Sequence, residues 1–243
     1  MKHWMWRKKD VTTVQCESAY VLPHIEAGHI ETKELEWLVK SLCMLPLCHP
    51  FTAVVAGPTG CGNCAWVLRL TDNVREKIEP APSRIWYYYG EHQPAFDNYP
   101  EIHFEKVYHN CDEVFDGRQS TTIVIEDYMS YVNQLVADIF TKTSHRNIST
   151  VYVTQNLFHK NKYAGTISLN SHHLVMFRNC WDTGQFAIFA KQMYPPCWKF
   201  AVEGYEDATS VPYGYLLVDL KPDQDEQCRL RTGFFLESCS NVC

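Results

Sequence analysis

A short apolar run, Phe51-Thr-Ala-Val-Val-Ala56, stops at Gly57-Pro58 and gives way to a segment of helical period, with Trp66, Leu70, Val74 and Ile78 spaced by four. Strand, glycine turn and helix in that order constrain the fold more than any other feature of the chain. A strand that is apolar without alternation must be buried on both faces, and parallel sheets covered by helices achieve this. The alternation continues downstream. Arg84–Tyr89 (RIWYYY), Thr121–Ile125 (TTIVI), Ile148–Val153, Leu174–Phe177 and Tyr215–Leu220 read as strands. Between them, Val132, Leu135, Val136, Ile139 and Phe140, and later Phe186, Phe189, Ala190 and Met193, recur at helical spacing. Residues 94–111 read as polar and irregular, rich in aromatics and histidine. The pattern predicts an α/β fold: a mainly parallel sheet with helices on both faces. Residues 1–50 read as a lead-in with a helix over Ile30–Leu47, broken by Pro46 and Pro50. Residues 51–235 form the domain, and 236–243 read as a mobile tail.

Composition narrows the functional classes. With 46% hydrophobic and 21% charged residues over 243 positions, the chain can bury a core and suits one large domain with appendages. No apolar run approaches the roughly 18 residues of a membrane span, so no membrane partner is expected. The start, MKHWMWRKKD, lacks the apolar segment of a secretory signal. A net charge of −6 argues against a strongly basic nucleic-acid binder, though a local basic patch or a pore built from several copies stays open. Eleven cysteines, an odd count, read as mostly free thiols in a reducing, intracellular setting, cytoplasmic or nuclear rather than secreted.

Three segments carry chemistry, and each follows a strand, at the edge where such sheets bind ligands. The first is Gly57-Pro58-Thr59-Gly60-Cys61-Gly62-Asn63-Cys64, in the strand-to-helix setting of a phosphate-binding P-loop. Its glycines let successive backbone N–H groups face a phosphate, and the helix N-terminus adds partial positive charge. A full motif would continue with lysine and then serine or threonine; Asn63 and Cys64 stand there. The second is the acidic end of TTIVI, Glu126-Asp127. One carboxylate would hold Mg²⁺ or its waters, and the next, Asp127, would activate the attacking water. The third is Thr154-Gln155-Asn156, where the Gln155 amide could sense a γ-phosphate or simply shape a turn.

These residues resemble the packaging ATPases of Polinton/Maverick elements and related viruses, within the FtsK–HerA superfamily of P-loop NTPases. The similarity runs from Phe51 to Thr232. Its most specific stretches are VTQNLFHKNKYAGTISLNSHHLVMFRN (153–179), AKQMYP (190–195), YEDATSVPYGYLLVDLKPD (205–223) and RLRT (229–232). The resemblance implies ATP and Mg²⁺ as cofactors, and ATP hydrolysis that drives double-stranded DNA into a capsid. It also implies a homo-oligomeric ring, or assembly with intact relatives. It implies departures too: the family carries lysine and serine or threonine at 63 and 64, aspartate at 126, and arginine at the positions of Gly165 and Trp181. Asn63 removes a positive charge beside the phosphates. Cys64 replaces a hard hydroxyl ligand of Mg²⁺ with a soft thiol. Glu126 lengthens the carboxylate arm by one methylene, and loss of an arginine finger alone can cost about 10³–10⁵ in rate. The expectation is an ATPase-like protein of a virus or transposable element that cradles nucleotide with Gly57–Cys64 and hydrolyses it little. The alternative is a non-enzymatic pseudo-ATPase that acts in assembly.

Other features have plainer readings. Cys61 and Cys64 form a CxxC that would suit redox or zinc chemistry only with a second ligand pair, which the spacing does not supply. His172-His173 read as the start of a strand with one imidazole half-buried. His159, Lys160 and Lys162 suit either a DNA-facing segment or a solvated loop. Trp86–Tyr89 read as strand and core, and Trp181 as an exposed ring at a formerly cationic position.

Overall fold

A computed structural model describes residues 45–106, 117–126, 132–142, 146–156, 164–182 and 184–235. The lead-in up to residue 44, Asp127, the segment with His159, Lys160 and Lys162, and the tail at 236–243 lie outside the described residues. The strands are β1 (Leu47–Cys48), β2 (Thr52–Ala56), β3 (Ile78–Glu79), β4 (Arg84–Tyr88), β5 (Ile102–Glu105), β6 (Thr121–Glu126), β7 (Ile148–Thr154), β8 (His173–Phe177), β9 (Tyr215–Asp219) and β10 (Leu230–Arg231). The helices are α1 (Asn63–Asp72), α2 (Val74–Lys77), α3 (Val132–Lys142), α4 (Ala164–Leu169), α5 (Gly184–Met193) and α6 (Trp198–Ala208).

Eight strands form one sheet in the order β10-β9-β8-β2-β7-β6-β4-β5. From β8 to β5 every neighbouring pair is parallel; β9 runs antiparallel to β8, and β10 antiparallel to β9. β1 and β3 make a separate two-stranded parallel sheet. Every residue of β2, β7 and β8 is buried, the polar ones (Thr52, Ser149, Thr150, Thr154 and His173) included. Strand periodicity divides the side chains between two cores. One face presents Val54, Ile123, Ile125 and Tyr152 to Val136, Phe140, Phe186 and Tyr205, from α3, α5 and α6. The other presents Val55, Val124, Val151 and Val153 to Trp66, Val67 and Leu70 of α1 and to Phe234. Burying both faces of the central strands is what makes the parallel arrangement stable.

The structure departs from the sequence reading where elements are short. The period-four series from Trp66 to Ile78 is not one helix. α1 closes at Asn73, whose backbone N–H and side-chain Nδ2 both donate to the Arg69 carbonyl, at 3.2 and 2.8 Å. After α2, Ile78 is a strand residue paired with Leu47. Residues 94–111 are not irregular throughout. They hold a 3₁₀ turn at Pro94–Asn98 and the edge strand β5, and Phe96 stacks on Phe104 at 4.5 Å. His173 opens β8 fully buried, with His172 half-buried before it, as the doublet suggests.

Candidate functional site

β2 delivers the chain to Gly57, whose N–H donates to the Thr154 carbonyl of the neighbouring β7 (3.1 Å). A Cβ on Gly57 would fall 2.5 Å from Cys61 Sγ and 2.7 Å from Phe177 Cβ, so only glycine fits this close approach. The loop then turns at Pro58–Cys61, with Cys61 N–H donating to the Pro58 carbonyl at 3.1 Å. It enters α1 through Gly62 in the left-handed conformation (φ 101°), whose carbonyl accepts the first helical bond from Trp66 at 2.9 Å. Among the described residues, the amides of Gly60 and Gly62 have no acceptor, while the Asn63 N–H faces the Cys61 sulfur. Two orphan donors in the turn that leads into a ten-residue helix form a cradle for an anion of phosphate type.

Asn63 turns inward rather than out to a ligand. Its side chain is buried; Nδ2 donates to the Gly57 carbonyl at 3.3 Å, and Oδ1 accepts from the Cys64 N–H at 2.8 Å. The amide thus bridges the two ends of the loop and takes one helix-terminal donor for itself, where a lysine would bring a cation.

Glu126 ends β6 on the α1 face of the sheet, because it shares strand parity with Val124 and is paired with Val153. That parity brings Cys64 and Glu126 together: the thiol donates to Glu126 Oε1 at 3.5 Å. The same oxygen accepts from the Tyr87 hydroxyl at 2.8 Å. Burial, followed by the Glu126 charge, pushes the Cys64 thiol up to about 11, and burial raises Cys61 as well. Burial and the Glu126 carboxylate raise the Tyr87 phenol, so it stays a donor. Both cysteines of the CxxC are therefore protonated at neutral pH, not activated thiolates.

The donor set does not suit Mg²⁺. That ion requires hard oxygens in octahedral geometry at about 2.0–2.1 Å. Here it would meet a protonated sulfur and a carboxylate oxygen already shared by two donors. Among the described residues no group of three or more His, Cys, Asp and Glu is placed to hold a metal ion.

The third predicted segment also reaches this edge. Gln155 is exposed at the tip of β7, one strand from the loop and one from Glu126. Asn156 Oδ1 accepts from Gln185 Nε2 at 3.1 Å, and Gln185 also donates to Asp182 at 3.0 Å, which ties the β7 tip to α5. Trp181 lies in that connection, 96% exposed, with its N–H on Asn179 Oδ1 at 3.0 Å. Gly165 is in α4. The structure thus brings together Gly57–Cys64, Glu126 and Gln155; Asp127, expected beside Glu126, is outside the described residues. Sequence reasoning missed Tyr87, which reaches Glu126 only through the pairing of β4 with β6. It also missed Gln93, whose side chain hydrogen-bonds Cys64.

No family model matches the sequence, and no curated protein does. Among solved structures, the fold is similar to the genome packaging NTPase B204 of Sulfolobus turreted icosahedral virus 2 in complex with AMPPCP. The TM-score is 0.48 and the identity 11%, over 75% of this chain and 96% of that one. It is also similar to the cytoplasmic domain of the type VII secretion ATPase EccC of Thermomonospora curvata. There the TM-score is 0.47 and the identity 10%, over 74% of this chain and 25% of that one. At these values neither likeness speaks to ligand or activity. No helix among the described residues is long and apolar enough to cross a membrane.

Proposed function

We propose that this chain is a nucleotide-binding protein on the plan of a viral-type DNA-packaging ATPase, with hydrolysis strongly reduced. The observation that carries it is the loop at Gly57–Gly62, an anion cradle of orphan amides whose cation position is taken by the inward-turned Asn63 amide. The cradle supports binding of the phosphates of ATP through backbone donors. The missing lysine charge and the soft thiol of Cys64 support slow turnover, since phosphoryl transfer depends on positioning and charge neutralisation. Asp127 is the proposed water-activating carboxylate and Gln155 the proposed γ-phosphate sensor. Double-stranded DNA, a capsid and a ring of subunits enter with the sequence resemblance over 153–179, 190–195, 205–223 and 229–232. Trp181, exposed at the edge that carries the loop, is where a neighbouring subunit would sit. The free thiols of Cys48, Cys61, Cys64, Cys180, Cys197 and Cys228 suit a reducing, intracellular setting.

The test is equilibrium binding of Mg·ATP to the purified chain, with phosphate release followed in the same sample. Binding without turnover is expected. Turnover in the ordinary enzymatic range, about 1–10³ s⁻¹, would overturn the impairment. No binding at millimolar nucleotide would overturn the nucleotide reading.

A further inference from the structure

Tyr213 is out of place as an ordinary surface residue. It occupies the left-handed region (φ 58°), which bulky side chains avoid. It sits in a turn closed by Gly214 N–H on the Val211 carbonyl (3.0 Å), with Pro212 before it. That is the third turn position, which glycine usually fills when φ is positive. The turn cannot relax outward easily, because Gly214 packs against the Ala208 carbonyl at the end of α6 so closely that no Cβ would fit. The ring is held beside the anion cradle: a Cβ on Gly62 would lie 3.1 Å from Tyr213 Cδ1 and 3.6 Å from Phe177 Cε1. Yet Tyr213 is 71% exposed, so its packing on Gly62 leaves most of it to solvent.

The sheet order says which end of a ligand would meet it. Glu126 ends β6 and Gln155 directly follows β7, on one side of β2 and its loop. Tyr213 leads into β9, whose Tyr215 pairs with Phe177 at the end of β8, on the other side. A nucleotide with its phosphates in the loop and its terminal phosphate toward Glu126 and Gln155 would carry its base toward Tyr213. We propose that Tyr213 is the stacking platform for the aromatic base of a nucleoside triphosphate bound at the Gly57–Gly62 cradle. This rests on the nucleotide reading of the cradle. It adds a base subsite on the far side of the loop from the carboxylate. The strained conformation is then the means of holding an aromatic ring at the loop's open flank.

The test compares ATP with inorganic tripolyphosphate, by calorimetry on the full chain and on its Tyr213→Ala and Tyr213→Trp variants. Base stacking on an aromatic is lost on alanine substitution, so Tyr213→Ala is expected to weaken ATP about tenfold. Tripolyphosphate affinity is expected to stay unchanged, and Tyr213→Trp is expected to keep ATP binding. A folding or loop defect would weaken both ligands equally, and that result would overturn the proposal. So would unchanged ATP affinity in Tyr213→Ala, or wild-type protein that binds tripolyphosphate as tightly as ATP. In that last case the phosphate cradle stands without a base subsite. Binding of neither ligand by the wild type would overturn the cradle reading itself and this subsite with it.

Discussion

The two ends of the parallel strands use polar residues in opposite ways. At the amino-terminal edge most of them are buried, and they are joined to one another. His49, ahead of β2, meets Ser149 through Nδ1 and Asn147 through Nε2 (3.0 Å for the latter), and Ser149 Oγ also accepts the Phe51 N–H at 3.1 Å. Arg231 donates to Asp219 at 3.0 Å and to the Leu45 carbonyl at 3.0 Å, and His173 lies 3.6 Å from the same carboxylate. At the carboxyl-terminal edge, Thr59, Gly60, Gln155 and Trp181 are exposed, and the amides of Gly60 and Gly62 have no acceptor among the described residues. One edge fixes strands to each other; the other leaves backbone donors open. Residues 63 and 64 hold the loop rather than the strands, so changes there bear on the loop before the frame.

The largest effect should come from the amino-terminal edge. Asp219→Ala would strand the Arg231 guanidinium in a site where both side chains are 4% exposed. Removing one partner of such a pair costs about 3–5 kcal/mol. The double change Asn63→Lys with Cys64→Ser removes the two hydrogen bonds of the Asn63 amide and is expected to cost less, about 1–2 kcal/mol. Urea unfolding of both proteins makes the measurement, and similar losses in the two would break the contrast.

That double change should act instead on ligand. A lysine restores a charged donor to phosphate, and hydrogen bonds to charged groups contribute about 1.5–3 kcal/mol. Mg·ATP affinity is expected to rise about 10- to 100-fold, measured by calorimetry, with the larger share from Asn63→Lys. Unchanged affinity would mean that the inward-turned amide is not what limits the cradle.

How far this contrast could be read from sequence depends on the reach of each interaction. The cradle was legible because glycines, strand and helix lie within one local segment, Phe51 to Asp72. The acidic end of β6 was legible for the same reason. The Tyr87 contact to Glu126 and the Arg231 pair with Asp219 depend on strand register and on antiparallel pairing late in the chain, which no local pattern encodes. β5 escaped because an edge strand reading IHFE buries only Ile102 fully, and α6 because WKFAVEGYEDA buries small residues, Ala201, Gly204 and Ala208, along with Tyr205.

Acid should separate the edges further. Burial lowers the imidazoles of His49 and, more strongly, His173. Near their ordinary value of about 6.5 the unfolded chain then binds protons that the folded chain refuses, so stability falls as pH falls. Each histidine contributes at most about 1.4 kcal/mol per pH unit. Burial raises the Asp219 carboxyl, which works in the opposite sense at lower pH, where the folded chain holds the proton more tightly. The melting temperature is expected to drop from pH 7 to pH 5.5. The Cys64 thiol, at about 11, does not titrate in that window. A flat melting curve would show that the buried imidazoles do not govern this edge.

The smallest effect tests a place where the two edges are alike. Tyr87 is fully buried, and its hydroxyl meets Glu126 at 2.8 Å, a buried donor serving a residue of the open edge. Tyr87→Phe keeps the ring against Phe96 and Phe104 and removes only the donor. Glu126 is half-buried and keeps the Cys64 thiol as a partner, so the carboxylate is not left stranded. The cost should sit at the low end of a single hydrogen bond, about 0.5 kcal/mol of stability. Freed from one donor, Glu126 gains rotational range beside the loop, which should appear as a change in ATP affinity rather than in folding. A loss above about 2 kcal/mol in urea unfolding would place Tyr87 and Glu126 with the buried pairs of the opposite edge. The carboxylate would then be part of the frame, and the division between a structural edge and a binding edge would run through β6 rather than between the strand ends.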